Sequence, residues 1–248
     1  MLVSDPIASI AGMEQMTVRA ADGVDLHVGV HGTGTDVVML SGGPGCVQYL
    51  ERDELVPDGC RAWFPEPRGV GRSAGGPHDM AQAVADLEDV RRAASVDRWL
   101  VLGHSWGCDL AVRYALDVPT AVSGVIGIAG HGPHKDRTWT QIYEQGKLTE
   151  TPIEVEWDKG VWQSLSDSFV DWIHEPDLWR RLGDTPVPMI FIAAGADIRP
   201  NWPLRQLARL VPDGDFQVVD GVPHDFWATH PEAWLTAVRN AHQALQHR

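Results

Sequence analysis

The sequence predicts an α/β fold in which helices cover both faces of a mostly parallel central sheet. Short apolar stretches such as "WLVL" (99–102) and "MIFIAA" (189–194) alternate with longer stretches that have helical periodicity. Within the short stretches polar residues do not alternate with apolar ones, which is typical of strands buried on both faces. Glycine-rich turns separate these strands from the helices that follow. The three observations together indicate consecutive strand–helix units around one sheet.

The elements can be placed in chain order. Two stretches of alternating polarity, residues 14–20 and 24–32, surround a short Ala-Asp-Gly turn and predict an initial β-hairpin. Helical spacing appears in residues 80–96, 106–116 and 231–246. The predicted strands after the hairpin lie within residues 36–45, 60–73, 98–103, 122–130, 187–197 and 216–224.

Composition narrows the class of protein. The chain has 248 residues, of which 44% are hydrophobic, and this suits one large α/β domain. Its formal net charge of -14 argues against nucleic acid as a partner, because phosphates require basic surfaces. No apolar run approaches the roughly 18 residues that a membrane helix needs, so no membrane partner is predicted.

The cysteines and the amino-terminal residues indicate the cellular compartment of the protein. Cys46, Cys60 and Cys108 are odd in number and lack metal-ligand spacing, which favours a reducing environment. The stretch "MLVSDPIASIAGMEQ" has neither a basic region nor a continuous apolar block, so no signal peptide is expected. A cytoplasmic location is predicted.

The segment between Gly130 and Pro186 interrupts the alternation of strands and helices because it contains no strand-like stretch. Residues 151–154 have the form of a capping box with proline at the first helical position, and they predict a helix that continues to Trp172. We predict a helical lid over residues 131–185, since ligands of open α/β sheets bind at the carboxyl ends of the strands. The alternative is a set of extra helices packed on the flank of the domain. Five tryptophans lie in the segment: Trp139, Trp157, Trp162, Trp172 and Trp179.

The pentapeptide Gly103-His104-Ser105-Trp106-Gly107 joins a predicted strand to a predicted helix. Such a G-x-S-x-G turn is the nucleophile elbow, in which a strained turn holds a serine hydroxyl above the sheet. The helix that begins beneath the serine favours negative charge that develops nearby. Ser105 is therefore the candidate nucleophile, and the alternative is a tight turn with a purely structural role.

A serine hydroxyl needs a base, and the base needs an acid that orients it. In an elbow architecture both partners follow the serine in chain order, each after a strand. Asp197 follows "MIFIAAGA" and His224 follows "FQVVDGVP", so they are the candidate acid and base. Asp220 and Asp225 are rival acids, but near neighbours of the histidine in sequence reach its far ring nitrogen poorly. We expect these two to cap loops instead.

The tetrahedral intermediate of acyl transfer needs two backbone N–H donors. The first candidate is the amide of Trp106, the residue after the nucleophile. The second comes from the loop "SGGPG" (41–45), which follows a predicted strand. Pro44 has no N–H, so Gly43 is the better donor and Gly42 is the reserve.

Other residues are candidates for a substrate pocket or for a second kind of site. Substrate contacts are predicted for Gly42, His131, Trp139 and Trp162. No metal ion is predicted, because no acidic or cysteine partner lies at ligand spacing from the histidines. The stretch "GVGRSA" (69–74) matches G-x-G-x-x-A, but no acidic residue ends a strand about 20 residues later. No nucleotide or other cofactor is therefore predicted, and we expect Arg68, Arg72, Ser73 and Glu66 to tie this loop to the body of the fold.

Five stretches together resemble the α/β-hydrolase superfamily and, within it, the proline iminopeptidase-like serine hydrolases. They are "SGGPG", "PRGVGRS", "GHSWGCDLA", "AAGAD" and "GVPHDFW". The resemblance covers about residues 15–130 and 186–245. It implies an α/β-hydrolase core formed by residues 1–130 and 186–248. The family pattern gives Ser105, Asp197 and His224 the triad roles, with the amides of Gly43 and Trp106 as oxyanion donors.

The sequence departs from the family pattern in three places. Ser41 stands where the family usually carries histidine, and Glu66-Pro67 replaces the usual Asp-Gln. The predicted lid is also shorter than that of typical members, whose acidic lid residues hold the free amino group of the substrate. The lid glutamates here are Glu144, Glu150, Glu154, Glu156 and Glu175, and most are expected on a solvated helix face.

The predicted function is cleavage of an ester or amide of a small molecule or short peptide by a serine hydrolase. One alternative is an aminopeptidase that removes an N-terminal aminoacyl residue, with acidic lid residues binding the ammonium group. An alternative of another class is a receptor that binds a ligand on the same fold without turnover.

Overall fold

The computed structural model describes residues 12–134, 137–150 and 153–248, and these contain one eight-stranded sheet. The strands are β1 (Glu14–Arg19), β2 (Asp25–Gly32), β3 (Thr35–Leu40), β4 (Cys60–Pro65), β5 (Trp99–His104), β6 (Val122–Ile128), β7 (Met189–Ala194) and β8 (Gly214–Val219). The helices are α1 (Met80–Ala93), α2 (Trp106–Asp117), α3 (Arg137–Gly146), α4 (Lys159–Ile173), α5 (Leu178–Asp184), α6 (Trp202–Leu210), α7 (Phe226–Thr229) and α8 (Pro231–Gln246). None of these helices is long and apolar enough to cross a bilayer.

The strand order in the sheet is β1-β2-β4-β3-β5-β6-β7-β8. The predicted hairpin is present, with β1 antiparallel to β2, and β2 is also antiparallel to β4. All other neighbours run parallel, which confirms the predicted α/β class with a mostly parallel sheet. Because parallel strands share one carboxyl edge, the loops after β3, β5, β7 and β8 meet at the same side of the sheet.

Strand β5 shows why these apolar stretches form central strands. Leu100 and Leu102 face a core that includes Trp234 of α8, whereas Val101 faces the core that includes Ala111 of α2. All three strand side chains are at most 4% exposed. Burial of one such side chain contributes about 1.5–3 kcal/mol. Helices therefore cover both faces of the sheet, and a slip of one residue would exchange the two faces.

Helix α4 begins later than the sequence predicts. Its first residue is Lys159, and the Asp158 side chain caps it by accepting the N–H of Val161 at 2.9 Å. The prediction of a helix from the capping-box stretch is wrong for residues 153–154, which are not helical. Residues 151–152, which carry the threonine and proline of that motif, lie outside the described residues.

The chain between β6 and β7, here called the β6–β7 segment (131–185), contacts two parts of the molecule. Helix α4 packs beside α1, where the Ser168 hydroxyl accepts the N–H of Met80 at 2.9 Å. Residues just before α4 instead meet the loop after β3, where Cys46 and Trp157 form an isolated antiparallel bridge. This extended bridge replaces the first turns of the predicted helix. The segment thus covers the flank with α4 and reaches the carboxyl edge of the sheet with the residues before it.

Candidate active site

The backbone at Ser105 has the strained conformation expected of a nucleophile elbow. Its φ of 54° and ψ of -127° lie in a region that non-glycine residues rarely adopt. Such a conformation costs about 1–3 kcal/mol and persists only where the surroundings hold it. The N–H of Ser105 donates to the carbonyl of Ile128 at 2.8 Å, which fixes the turn to the end of β6. The predicted strand–turn–helix around this serine is confirmed.

The two glycines of the pentapeptide allow α2 to approach the sheet closely. A Cβ on Gly103 would collide with the backbone carbonyl of Gly107. A Cβ on Gly107 would collide with the carbonyls of Leu40 and Ser41, at the end of β3. Side chains at these positions would therefore push the helix away from β3 and β5. The glycines place the amino end of α2 directly behind Ser105.

Asp197 and His224 come together at the carboxyl ends of two neighbouring parallel strands. Asp197 follows β7 and His224 follows β8, and Nδ1 of the histidine lies 2.5 Å from Oδ2 of the aspartate. Their side chains are only 7% and 5% exposed. Burial by itself raises the pKa of Asp197, but the interactions with His224 and Arg199 outweigh it and hold that pKa below its usual value. The carboxylate is thus ionised and fixed against the imidazole.

The second carboxylate oxygen of Asp197 is held by a residue from its own loop. Oδ1 accepts the backbone N–H of Arg199 at 2.9 Å and Nη1 of the same arginine at 3.0 Å. The guanidinium also forms a bidentate pair with Glu150, from the turn after α3. Sequence analysis did not identify Arg199. Its position two residues after the acid is the only signal that could have pointed to it.

A chain of hydrogen bonds connects the loop after β3 (the β3 loop, 41–52) to the elbow and to the loop after β8 (the β8 loop, 220–225). The N–H of Gly42 donates to the Tyr49 hydroxyl at 2.6 Å, and that hydroxyl lies 2.7 Å from Nδ1 of His104. Nε2 of His104 lies 3.1 Å from the carbonyl of His224 and donates to it. The tautomer follows from this network, since a carbonyl only accepts. The hydroxyl therefore donates to Nδ1, and one neutral histidine links three loops of the site.

The protonation state of His104 is set by its surroundings. The side chain is fully buried, and burial, followed by the nearby charge of His224, lowers its pKa to about 3. The two hydrogen bonds of His104 give this side chain a structural role beneath the elbow. Tyr49 was not identified, because no local pattern links it to a histidine 55 positions away.

The backbone amides near Ser105 differ in their availability. The Gly42 N–H is occupied by the Tyr49 hydroxyl. The N–H groups of Gly43 and Trp106 have no acceptor among residues 12–134, 137–150 and 153–248. Gly43 has a φ of +54°, and a Cβ there would lie 2.7 Å from Sγ of Cys46. The N–H groups of Gly43 and Trp106, the two predicted oxyanion donors, are thus available, whereas that of Gly42 is already used in a hydrogen bond.

A cavity of about 410 Å³ lies beside His224. Two carboxylates line it: Glu150, which is paired with Arg199, and Asp225. Asp225 sits at the N-cap position of α7 but makes no side-chain capping bond there, so the expectation that it caps a loop is wrong. Its Oδ1 instead accepts the indole N–H of Trp227 at 3.2 Å. The remaining lining residues are Thr149, Ile153, Ala196, Ile198, Pro223, Thr229 and His230.

Three side chains predicted to contact substrate do not line the cavity beside His224: His131, Trp139 and Trp162. The ring of His131 lies tilted against that of Trp139 with centroids 3.9 Å apart, and Trp139 is 6% exposed. Trp162 is 39% exposed, and its backbone N–H lies against Gly45 of the β3 loop. Gly42 lies against Ser105, and a Cβ on it would collide with the Cβ of the serine.

Two further groups of polar residues resemble a metal site and a nucleotide site. Within the described residues, ring nitrogens of His104 and His224 and a carboxylate oxygen of Asp225 lie within 4.8 Å of one another. Both nitrogens of His104 already have hydrogen-bond partners, so this histidine offers no free lone pair to a metal ion.

The glycine-rich loop after β4 is filled by its own ion pairs. Arg68 pairs with Asp86 of α1 at 2.6 Å, and Arg72 pairs with Glu66 at 2.5 Å. The Ser73 hydroxyl donates to the Glu66 carbonyl at 2.8 Å. The expectation that these residues tie the loop to the body of the fold is confirmed.

Comparison with known proteins identifies the class of this protein. The family model described as "alpha/beta hydrolase fold" matches residues 36–169, so the chain belongs to the α/β-hydrolase fold family. Among curated relatives, the proline iminopeptidase of Xanthomonas citri is 41% identical over 132 residues, which are 50% of this chain and 36% of that protein. The proline iminopeptidase of Neisseria gonorrhoeae is 38% identical over 100 residues, or 38% of this chain and 32% of that protein. The matches thus span about a third of the length of these relatives.

Solved structures with the same fold cover almost the whole chain. A thermophilic esterase from Thermogutta terrifontis superposes with a TM-score of 0.74 at 18% identity, and 94% of this chain and 99% of that one are covered. The proline iminopeptidase of Mycobacterium smegmatis gives a TM-score of 0.74 at 16% identity with the same coverage. These likenesses establish the fold, which both an esterase and an iminopeptidase share.

Proposed function

We propose that the protein is a serine hydrolase that cleaves an ester or amide of a small molecule or short peptide through an acyl-enzyme. The observation that carries the proposal is the 2.5 Å pair of buried Asp197 and His224, formed at the same edge of the sheet as the strained Ser105. A structural turn would have no need for an ionised carboxylate aligned on an imidazole beside it.

In the proposed mechanism Ser105 Oγ attacks the substrate carbonyl while Nε2 of His224 takes its proton. Asp197 stabilises the resulting imidazolium through Nδ1 and does not itself become protonated. The amides of Gly43 and Trp106 donate to the oxyanion of the tetrahedral intermediate. His224 then gives the proton to the leaving alcohol or amine, and a water molecule, activated by the same histidine, hydrolyses the acyl-enzyme.

We propose further that the β6–β7 segment serves as the lid of this site. Its support is the position of residues 156–158, whose backbone bonds to Gly45 and Val47 in the loop after β3. The N–H of Val47 donates to the Glu156 carbonyl at 3.0 Å, and the N–H of Asp158 donates to the Gly45 carbonyl at 2.8 Å. These contacts lie within a few residues of Gly43.

An ester, lactone or thioester is the favoured substrate class because the lid glutamates are occupied or solvent-facing. Glu144 pairs with Lys147, Glu150 with Arg199, and Glu175 with Arg113 and Arg181, while Glu154 and Glu156 are exposed. A carboxylate that already neutralises a guanidinium has little attraction left for a substrate ammonium group. These pairings weaken the case for an amine clamp built from lid glutamates.

The second candidate, an aminopeptidase, is favoured by Asp225. Its carboxylate lines the cavity beside His224, and among the described residues only one of its oxygens has a hydrogen-bond partner, the Trp227 indole. An ammonium group in that cavity would meet this free oxygen. The named activity of the curated relatives agrees with this candidate.

The test compares aminoacyl anilides (proline and alanine) with short-chain p-nitrophenyl esters, using Ser105→Ala as the blank. We expect ester hydrolysis in the parent protein and none above background in Ser105→Ala. Anilide hydrolysis that is lost on acetylation of the amine, and lost again in Asp225→Asn, would establish the aminopeptidase instead. Ligand binding by a folded protein that turns over neither series would support the receptor alternative.

We propose the cytoplasm as the location of the protein. Cys46, Cys60 and Cys108 are all free thiols, and burial raises the pKa of each, foremost that of Cys108. Free, protonated thiols suit a reducing compartment. Cell fractionation with an antibody to the protein tests this, and recovery outside the cytoplasmic fraction would contradict it.

A further inference from the structure

We infer that Arg199 is a positioning residue that holds Asp197 against His224 and fastens it to the β6–β7 segment through Glu150. The inference rests on the proposed function, since it concerns the alignment of the proposed triad acid. It assigns a role in turnover to two residues that do not touch the reacting atoms.

Arg199 fixes the rotation of the Asp197 carboxylate. Two donors from the arginine, its backbone N–H and Nη1, converge on Oδ1 at 2.9 and 3.0 Å. Oδ2 is left for Nδ1 of His224 at 2.5 Å. With one oxygen held by two donors, the carboxylate plane cannot turn without breaking charge-assisted hydrogen bonds. The lone pair that faces the imidazole is therefore preset.

The far side of the guanidinium is held by the β6–β7 segment. Glu150 Oε1 lies 2.5 Å from Nη1, and Oε2 lies 3.2 Å from Nη2. The ring of Tyr143, on α3, lies 5.2 Å from the guanidinium carbon. Both partners come from the segment proposed as the lid, whereas Asp197 belongs to the core. Arg199 therefore bridges the two parts at the triad acid itself.

This bridge is sheltered from water, so it can transmit the position of the segment. The side chains of Arg199 and Glu150 are 19% and 22% exposed, and Asp197 is 7% exposed. An ion pair shielded in this way is screened less than one on the surface. Displacement of the turn that carries Glu150 would remove one of the two carboxylates that anchor the guanidinium. Nη1, which bonds to both carboxylates, would then lose its fixed place on Asp197.

The titratable groups that act on Asp197 are His224 across the β7–β8 edge, Arg199 on its own loop and His104 from β5. The charge of Arg199 is one of the causes that hold the pKa of Asp197 below its usual value. Removal of that charge raises the pKa of the carboxyl group. The same positive charge disfavours proton uptake by the Asp197–His224 pair as a whole, and the proposed mechanism needs an imidazole that can accept a proton, so activity would then be lost at a higher pH on the acid side.

The experiment measures kcat, KM and the pH profile of kcat/KM on the best p-nitrophenyl ester for Arg199→Leu, Arg199→Lys and Glu150→Gln. The matched control is Glu144→Gln, which removes an exposed ion pair with Lys147 from the same segment. We expect Arg199→Leu to lower kcat by about 10- to 100-fold with a smaller change in KM, as for a misplaced catalytic group. The acid limb should move to higher pH. Arg199→Lys should recover part of kcat, and Glu150→Gln should lower kcat several-fold, while Glu144→Gln should match the parent.

A parental kcat and acid limb in folded Arg199→Leu would overturn the inference, as would equal kcat values for Glu150→Gln and Glu144→Gln. Should Arg199→Leu fail to fold, Arg199→Lys and Glu150→Gln decide the matter, with thermal unfolding confirming that they are native. A second readout is the low-field proton resonance of His224 Nδ1–H, which should weaken or shift in the Arg199 variants, change less in Glu150→Gln, and stay at its parental position in Glu144→Gln. Failure of the proposed function is distinct, because Ser105→Ala would then be as active as the parent.

Discussion

Individual hydrogen bonds hold the residues around Ser105 in place, and those of Tyr49 and His104 are the clearest example. The Tyr49 hydroxyl accepts from Gly42 and donates to His104, whose other ring nitrogen holds the carbonyl of His224. Tyr49 is also stacked on Trp227 with ring centroids 4.7 Å apart, so the hydroxyl has little freedom to move. One phenol thereby determines which glycine amide of the β3 loop remains free.

Tyr49→Phe tests this constraint at the scale of one oxygen atom. It leaves the Gly42 N–H and Nδ1 of His104 without their partner, and a buried polar group without a partner costs about 1–3 kcal/mol. We expect a loss of that order in the free energy of unfolding, measured with urea, and a lower kcat on esters. Because the aromatic stack is kept, unchanged stability together with unchanged kcat would contradict the role given to the hydroxyl.

Among the elements, the junction of β5 and α2 determines where Ser105 stands. Gly103 and Gly107 let the helix approach until backbone meets backbone. Burial on both faces then keeps the strand in register. Asp109, in the first turn of α2, links this helix to the start of the β6–β7 segment. Its carboxylate accepts the N–H groups of His131 and Gly132 at 3.1 and 2.8 Å.

Gly103→Ala should disrupt this junction. The added Cβ would collide with the Gly107 carbonyl, and a backbone atom cannot yield as a flexible side chain would. We expect a loss of several kcal/mol in the free energy of unfolding, or failure to fold. Gly183→Ala is the matched control, at an exposed position of α5 where no other part of the described structure lies within 4 Å of the new Cβ. It should be neutral or stabilising by about 0.5–1 kcal/mol. Equal stabilities of the two variants would refute the steric account.

The buried carboxyl group of Asp109 should make the free energy of unfolding depend on pH. Burial, against the two backbone hydrogen bonds, raises its pKa from 3.8 to about 7. Between these values the folded state keeps a proton that the unfolded state has released. The contribution to stability is therefore present below the lower pKa and is lost as pH rises toward the higher one. The loss should be on the order of a few kcal/mol.

The measurement is the urea free energy of unfolding from pH 4 to pH 8 for the parent and for Asp109→Asn. We expect the part of the decline that belongs to this carboxyl to be missing in the variant, so that its profile is flatter. Parallel profiles for the two proteins would show that Asp109 is not the titrating group.

Across the whole molecule, features that depend on residues close in sequence are predictable from it, and features that depend on residues far apart in sequence are not. Strand burial, the hairpin and the elbow depend on residues close in sequence, so periodicity and glycine spacing predicted them. Arg199 with Glu150 joins residues 49 positions apart, and no local pattern marks such a pair. The start of α4 was misplaced because a bridge between Cys46 and Trp157 competes with the capping box. Asp225 resembled a cap in sequence, yet its side chain bonds to an indole.

Covalent labelling tests whether Ser105 is a nucleophile activated by the assembled site. The folded protein is treated with a fluorophosphonate, which loses fluoride as a serine oxygen bonds to phosphorus, and its peptides are examined by mass spectrometry. The account predicts one stoichiometric adduct on the peptide that contains Ser105, absent from Ser105→Ala and from the urea-unfolded protein. A folded protein that stays unlabelled at Ser105, or equal labelling of Ser105→Ala, would contradict it.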